Sequence, residues 1–277
     1  MRAGRARRAG LLYAGGLILL VVGAFPLFWM LSTSLKPSAE IFATPPRLVP
    51  AHPTLENFVR LFSDTSFLTF FRNSALVSLA TVALTLGVSA PGAYGLTRFS
   101  FAGREKVAGL ILTTYMFAPV MIIIPFYILV KQLGIVNTRL ALVLSYTTFC
   151  LPFCLWLLRA FFESIPLELE EAALVDGAGR GRAVWHVVLP LALPGLIAAA
   201  IFTFILAYND FLFALVLITS EELKTLPVGV NDLFNATIVD WGMIMAAGVM
   251  ITVPAVLFFA AVQRYLVQGW GAGGVKG

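Results

Sequence analysis

Few side chains in this sequence are of a type that does chemistry, and they gather in two places. One is the stretch Ser164-Ile-Pro-Leu-Glu-Leu-Glu-Glu-Ala-Ala-Leu-Val-Asp-Gly-Ala-Gly, where Glu168, Glu170, Glu171 and Asp176 alternate with small and apolar residues. The other is Tyr208-Asn209-Asp210, whose carboxylate lies well inside an apolar run. An ionisable group at such depth is costly and by default faces a bundle interior or a watery path. The alternative is that Asp210 pairs with a polar group on a neighbouring helix and fixes packing. The two histidines, His52 and His186, fall in separate polar stretches and complete neither a Ser/His/Asp set nor a metal-ligand set. Gly177-Ala-Gly-Arg-Gly is not preceded by a strand pattern, and no Gly-x4-Gly-Lys-Ser/Thr phosphate loop occurs. Nothing here reads as an enzyme active site, and no metal site or bound cofactor is expected.

The elements that must position these residues follow from composition. Of the 277 residues, 60% are hydrophobic and 12% are charged, too little polar surface to coat a water-soluble globule. The chain is expected to be all-α and polytopic, a single transmembrane domain over 1–277. Six runs are long enough to cross hydrocarbon: 11–31, 75–96, 107–130, 140–161, 191–218 and 242–262. Lipid cannot satisfy exposed backbone groups, so runs of this length must be helical. The first exceeds the apolar core of a secretory signal and reads as an uncleaved span. The net charge of +5 comes from basic residues that flank these runs, which argues for topology and against a nucleic-acid partner. With both termini inside, the inner pieces hold 12 of the 19 Lys and Arg residues, led by Arg2, Arg5, Arg7 and Arg8. N-in, C-in is the expectation.

Cys150 and Cys154 are four apart on one helix and read as packing neighbours, not a bridge. Met116, Phe117 and Met121 read as lipid-facing or packing surface. Pro26, Pro91, Pro119, Pro125, Pro152 and Pro254 fall in the spans and are expected to break or kink them. The outer connection, 32–72, is proline-rich, with a short helix expected over 55–62. The inner connection, 162–190, is expected to hold a helix of about three turns from Pro166 to Asp176. Glu168, Glu170 and Glu171 lie near the positive end of the helix dipole, and Gly177 and Gly179 supply the stop.

The order Glu171-Ala172-Ala173, three residues, Gly177, nine residues, Val187-x-Leu189-Pro190 resembles the EAA loop of ABC importer permeases. The chain is similar to the shorter, six-span partner of the carbohydrate, maltose-type pair, over almost its whole length. Supporting segments are Pro26 to Pro37, Glu56-Asn57-Phe58, Asn73-Ser74, Tyr208-Asn209-Asp210-Phe211, Thr225-Leu226-Pro227-Val228-Gly229 and the tail from Gln263 to Gly277. Val187 stands where the family usually has Ile, Tyr208 and Asp210 where it has Trp and Glu, and Gly179-Arg180-Gly181 is richer in glycine.

The resemblance implies an inner-membrane subunit of a prokaryotic importer. Its implied partners are a second permease, a homodimeric ABC ATPase that binds ATP and Mg, and an extracytoplasmic solute-binding protein. Glu171, Ala172, Ala173, Asp176, Gly177, Leu189 and Pro190 would meet the ATPase. Tyr208, Asn209 and Asp210 would line the path of a sugar, oligosaccharide, polyol or glycerol-phosphate-like solute. The tail from Gly269 resembles an extension toward the ATPase. The competing reading is a stand-alone secondary transporter or channel, which would normally show several intramembrane charges or inverted repeats.

Overall fold

The computed structural model describes residues 2–235, 237 and 239–273, with side chains apart from those of 2–11, 257–259 and 261–273. Among the described residues every regular element is a helix. Helix α1 is Arg2–Ser34, α2 is Glu56–Ser63 and α3 is Phe67–Arg98. Then come α4, Arg104–Thr114, α5, Pro119–Gln132, α6, Arg139–Glu163, and α7, Leu167–Val175. Arg180–Leu191 forms α8, with a π-helical turn at Val184–Val188. After it come α9, Leu193–Asn209, α10, Leu212–Leu217, α11, Leu226–Phe234, and α12, Trp241–Gly273. The tail beyond 273, and the side chains from Gln263 to Gly273, lie outside the described residues.

Three helices are long and apolar enough to cross a membrane unaided: α1 counted from Leu12, α3 and α6. They run through Pro26, Pro91 and Pro152. The run expected at 107–130 is instead two helices, α4 and α5, meeting at 97°. Pro119 opens α5, and Ala118 before it is extended, at φ −62° and ψ 133°. Proline lacks a donor and drives its predecessor out of the helical region, so this proline ends a helix where the others are absorbed. The run expected at 191–218 is also divided. Helix α9 follows α8 across a 74° bend at Ala192, between Pro190 and Pro194. It stops at Asp210, which is extended at φ −68° and ψ 130°. Counting each bent pair as one span raises three crossings to as many as five, and α12 adds a shorter apolar helix, Trp241–Val256.

The chain forms two compact units. One comprises the residues up to Phe67 together with Gly229–Pro254. In it the buried Asn57 amide of α2 donates to the carbonyls of Ser34 and Lys36, both at 2.8 Å. The Lys36 ammonium lies 4.5 Å above the Trp29 ring and donates to the Arg47 carbonyl at 2.6 Å. Arg60 pairs with Asp240 at 2.7 Å. Helix α2 spans 56–63 against the expected 55–62.

The other unit holds Leu68–Val228 and the residues from Ala255 on. Its centre is α6 packed on α9. Toward the start of α6, Leu142 and Tyr146 pack with Phe213, Ala214 and Leu217. Toward its end, Cys150, Cys154, Leu158 and Phe162 pack with Val188, Ala192 and Ala199. Both thiols are free and buried, as packing neighbours should be, with Cys154 Sγ 3.3 Å from Thr203 Oγ1. Close approach of the two helices depends on Gly195, where an added Cβ would lie 2.5 Å from Cγ of Phe161. Gly195→Ala is therefore expected to destabilise the unit by about 1–3 kcal/mol, as overpacking does. A melting curve of the purified chain in detergent, with a lowered Tm, checks it.

Candidate functional site

The acidic, alanine-rich stretch does form a helix, and the local chemistry explains both ends. Pro166 precedes α7 with an extended backbone, φ −55° and ψ 134°, and the missing proline donor is no loss there. Past Asp176, Gly177 takes φ +84°, a left-handed conformation suited to glycine. Its N–H donates to the Leu174 carbonyl and that of Ala178 to Ala173, which satisfies the last carbonyls of α7.

Around α7 the residues divide sharply. Glu168, Glu171, Ala172, Asp176 and Gly177 are exposed, and Ala173 is half-buried. Exposed apolar groups lie among them: Leu167, Leu174 and Val175, the last at 86%. In α8 Leu189 is half-buried and Pro190 exposed, while Trp185 stands at 72% exposure. This is a surface of small, acidic and apolar groups.

Glu170 is the exception. It is 4% exposed, and α3 takes up both its oxygens. Arg98 Nε donates to Oε2 at 3.0 Å, and the Tyr94 hydroxyl donates to Oε1. Arg98 Nη2 also reaches the Ile165 carbonyl at 3.0 Å. Sequence reasoning placed Glu170 with its neighbours at the positive helix end and missed this role. The available signal was the four-residue spacing of Tyr94 and Arg98 at the close of an apolar run.

A second missed group is Arg159, read from sequence only as a flanking charge. It is 8% exposed, donates from Nη2 to both oxygens of Glu105 at 2.8 and 3.0 Å, and from Nε to Glu163 at 2.8 Å. It thereby ties α6 to the first turn of α4. The quoted segments at the opposite end of the unit also find one another. The Asn73 amide donates to the carbonyls of Glu222 and Lys224, at 2.8 and 2.9 Å, and Ser74 Oγ accepts from Leu226 N at 2.8 Å. Asn73 Oδ1 in turn accepts from Arg139 Nε at 3.1 Å.

Tyr208, Asn209 and Asp210 do not converge on one point. Asp210 Oδ2 accepts from the Tyr146 hydroxyl at 2.9 Å and from the N–H groups of Phe213 and Ala214, at 3.1 and 3.3 Å. The carboxylate thus caps α10 and joins it to α6, the pairing with a neighbouring helix that the sequence left open. Asn209 is exposed and donates to the Ile205 carbonyl at 2.9 Å. Tyr208 is buried, stacked on Phe204 with 5.4 Å between ring centroids, and its hydroxyl has no partner among the described residues. Tyr146 was missed because a lone phenol in an apolar run carries no sign of its partner. An apolar cavity of about 820 Å³ opens at the break between α4 and α5, lined among others by Tyr115, Met116, Phe117 and Phe149. Met121 is exposed.

The chain combines bent pairs of apolar helices with an exposed acidic–alanine helix, and comparison with known proteins assigns its class. Residues 83–271 match the family described as binding-protein-dependent transport system inner membrane component, and the chain belongs to that family. It is 37% identical over 267 residues to the inner membrane ABC transporter permease protein YcjP of Escherichia coli, covering 96% of this chain and 95% of that protein. It is 35% identical over 271 residues to the trehalose/maltose transport system permease protein MalG of Thermococcus litoralis, covering 96% of each. A crystal structure of a bacterial ABC transporter involved in the import of the acidic polysaccharide alginate holds a similar chain, with 27% identity and a TM-score of 0.84. That likeness covers 94% of this chain and 96% of the other. Relatives named as sugar permeases are those that the sequence motifs resemble.

The Asp210 geometry yields a stability prediction. Asp210→Leu strands three donors, and a loss of about 1–3 kcal/mol is expected. Asp210→Asn keeps an acceptor and should stay within about 1 kcal/mol of the parent, since Asn caps nearly as well. Thermal denaturation of both variants in detergent measures the difference.

Proposed function

We propose that the chain is one of two permease subunits of an ATP-driven importer, forming with its partner the route for a carbohydrate-like solute. The observation that carries the reading is α7: a helix on a loop, stopped by a left-handed glycine, presenting Glu171, Ala172 and Val175 to solvent. Exposed apolar side chains interleaved with small and charged ones suit a protein partner better than water. Alanine permits close backbone approach, and Glu171 offers a carboxylate to a cation on the other side. Asp176, Gly177, Leu189 and Pro190 border the same surface.

In this proposal the surface docks on a cytosolic homodimeric ATPase, which binds ATP and Mg and does the hydrolysis. The chain then acts as one permease domain of six spans with both termini inside: α1, α3, α4 with α5, α6, α9 with α10, and α12. An extracytoplasmic binding protein delivers the solute. The break at Tyr208-Asn209-Asp210 lines the path, with the exposed Asn209 available to cargo. Support for the solute class comes from the names of the relatives, which concern trehalose, maltose and alginate. The cell membrane of a prokaryote is the proposed location.

Glu171→Lys reverses the charge at the centre of the docking surface without touching an apolar span. Membrane abundance is expected to match the parent, while the ATPase recovered with the affinity-purified permease pair falls about tenfold, as for an interface contact of about 1.4 kcal/mol. Unchanged recovery together with unchanged uptake would overturn the docking reading. A calorimetric screen of maltose, trehalose and alginate oligosaccharides against the cognate binding protein tests the solute class.

A further inference from the structure

We infer that Tyr94, Arg98 and Glu170 form a clamp that makes α7 and the last turn of α3 a single moving body, so that work received by α7 enters the membrane through α3. The inference rests on the docking reading and adds the route by which a push on α7 leaves the loop.

Helix α7 has two kinds of attachment. Along the chain it is joined by Ser164–Pro166 on one side and by Gly177 and Gly179 on the other. The glycine side is compliant: Gly177 sits at φ +84° with open space around it, and Gly179 is equally unobstructed. A displacement passed along this backbone would be absorbed by rotation at the glycines.

Through space α7 packs on α8, and its charged attachment to α3 is stiff. Tyr94 and Arg98 lie four residues apart on α3 and therefore share a face. Between them they hold both oxygens of Glu170, in the first turn of α7, and Arg98 also holds the Ile165 carbonyl just ahead of it, at 3.0 Å. One guanidinium thus grips the segment at two points five residues apart. The Tyr94 ring is fixed in turn, edge-on to Phe99 and to Phe162, with centroids 6.0 and 6.4 Å away. Arg180, from the start of α8, lies 5.0 Å over the Phe99 ring and closes the group from the other side of the loop.

The ion pair is deeply placed, with the Arg98 and Glu170 side chains 10% and 5% exposed. A buried pair is a weak source of net stability, and its best-attested use is to fix one geometry among several. That property is what a transmission joint needs. Adjacent carboxylates are thereby given opposite tasks: Glu171 outward to the ATPase, Glu170 inward to α3. The clamp residues are positioning residues, since none is placed in contact with solute or nucleotide.

The test uses the assembled importer, both permeases with the ATPase, in lipid nanodiscs. The reporter chain carries Cys150→Ala and Cys154→Ala, with spin labels on Ser100→Cys beyond α3 and Glu168→Cys on α7, both exposed positions. Electron–electron distances are recorded without nucleotide and with Mg-ATP plus vanadate. The unmodified clamp should give one narrow distance, the same in both states. Tyr94→Phe, which removes one hydroxyl and keeps the ion pair, and Glu170→Gln should retain the ATPase and its hydrolysis. In both, the distance should already be broader without nucleotide than in the parent, and should shift when vanadate traps the nucleotide.

An unchanged narrow distance in both variants overturns the clamp, and so does an unmodified distance that moves with nucleotide. Failure of both variants to accumulate in the membrane overturns it too, because the group then acts on folding alone. Absence of the ATPase from the unmodified complex strikes the docking reading instead. The clamp is then judged from the nucleotide-free distances of parent and variants, which do not involve the ATPase.

Discussion

Hydrocarbon offers a broken helix no hydrogen-bond partner, so each interruption in a membrane helix must be satisfied from within the protein. In this chain that requirement falls on a few short polar side chains. Asp210 stands at the gap between α9 and α10 and accepts from two backbone N–H groups of α10 as well as from Tyr146. Asn137, in the left-handed region at φ 59°, serves the far end of α10: its Oδ1 accepts from the N–H groups of Thr219 and Ser220, both at 3.0 Å. Its own N–H donates to the Leu217 carbonyl at 2.9 Å. Asn73 holds the carbonyls of Glu222 and Lys224 a few residues later. Thus the chain after α9 is fastened by side chains from α3, α6 and the loop before α6.

The same principle governs the surface loop, with charge in place of amide. Helix α7 is short, and an isolated helix of nine residues is marginal in water. Its stability must come from docking, by packing on α8 and by a carboxylate held on α3. Glu170 and Glu171 are consecutive and point about 100° apart around the helix axis. That angle alone lets one be buried against Tyr94 and Arg98 while the other stays in solvent. A helix fixed from one side and open on the other is suited to receive a partner without being deformed by it.

Membership of the transport family was legible in the sequence, because the spacing of Glu171, Ala172, Ala173, Gly177, Leu189 and Pro190 is carried by local structure: a proline start, a short helix and a glycine stop. So was the helical nature of the apolar runs. The sequence marked Pro119 only as one of six prolines that break or kink a span, and could not single it out for the 97° break, since Pro26, Pro91 and Pro152 have the same local chemistry and are carried within continuous helices. Which proline ends a helix depends on what packs around it. Asp210 was marked by its depth, but its acceptor geometry required Tyr146, 64 residues earlier in the chain.

Composition and spacing thus determined what each segment must be, because the demands of lipid on a backbone and of a loop on its caps act over a few residues. They settled an all-helical membrane subunit with an acidic–alanine helix between two of its runs. Pairing was decided only by the tertiary structure: Glu170 with Arg98 and Tyr94, Arg159 with Glu105, Asn73 with the segment ahead of Leu226, Asp210 with Tyr146. A hydrogen bond joins groups that are near in space, and nothing in the local sequence of either partner encodes which distant turn will be brought to it.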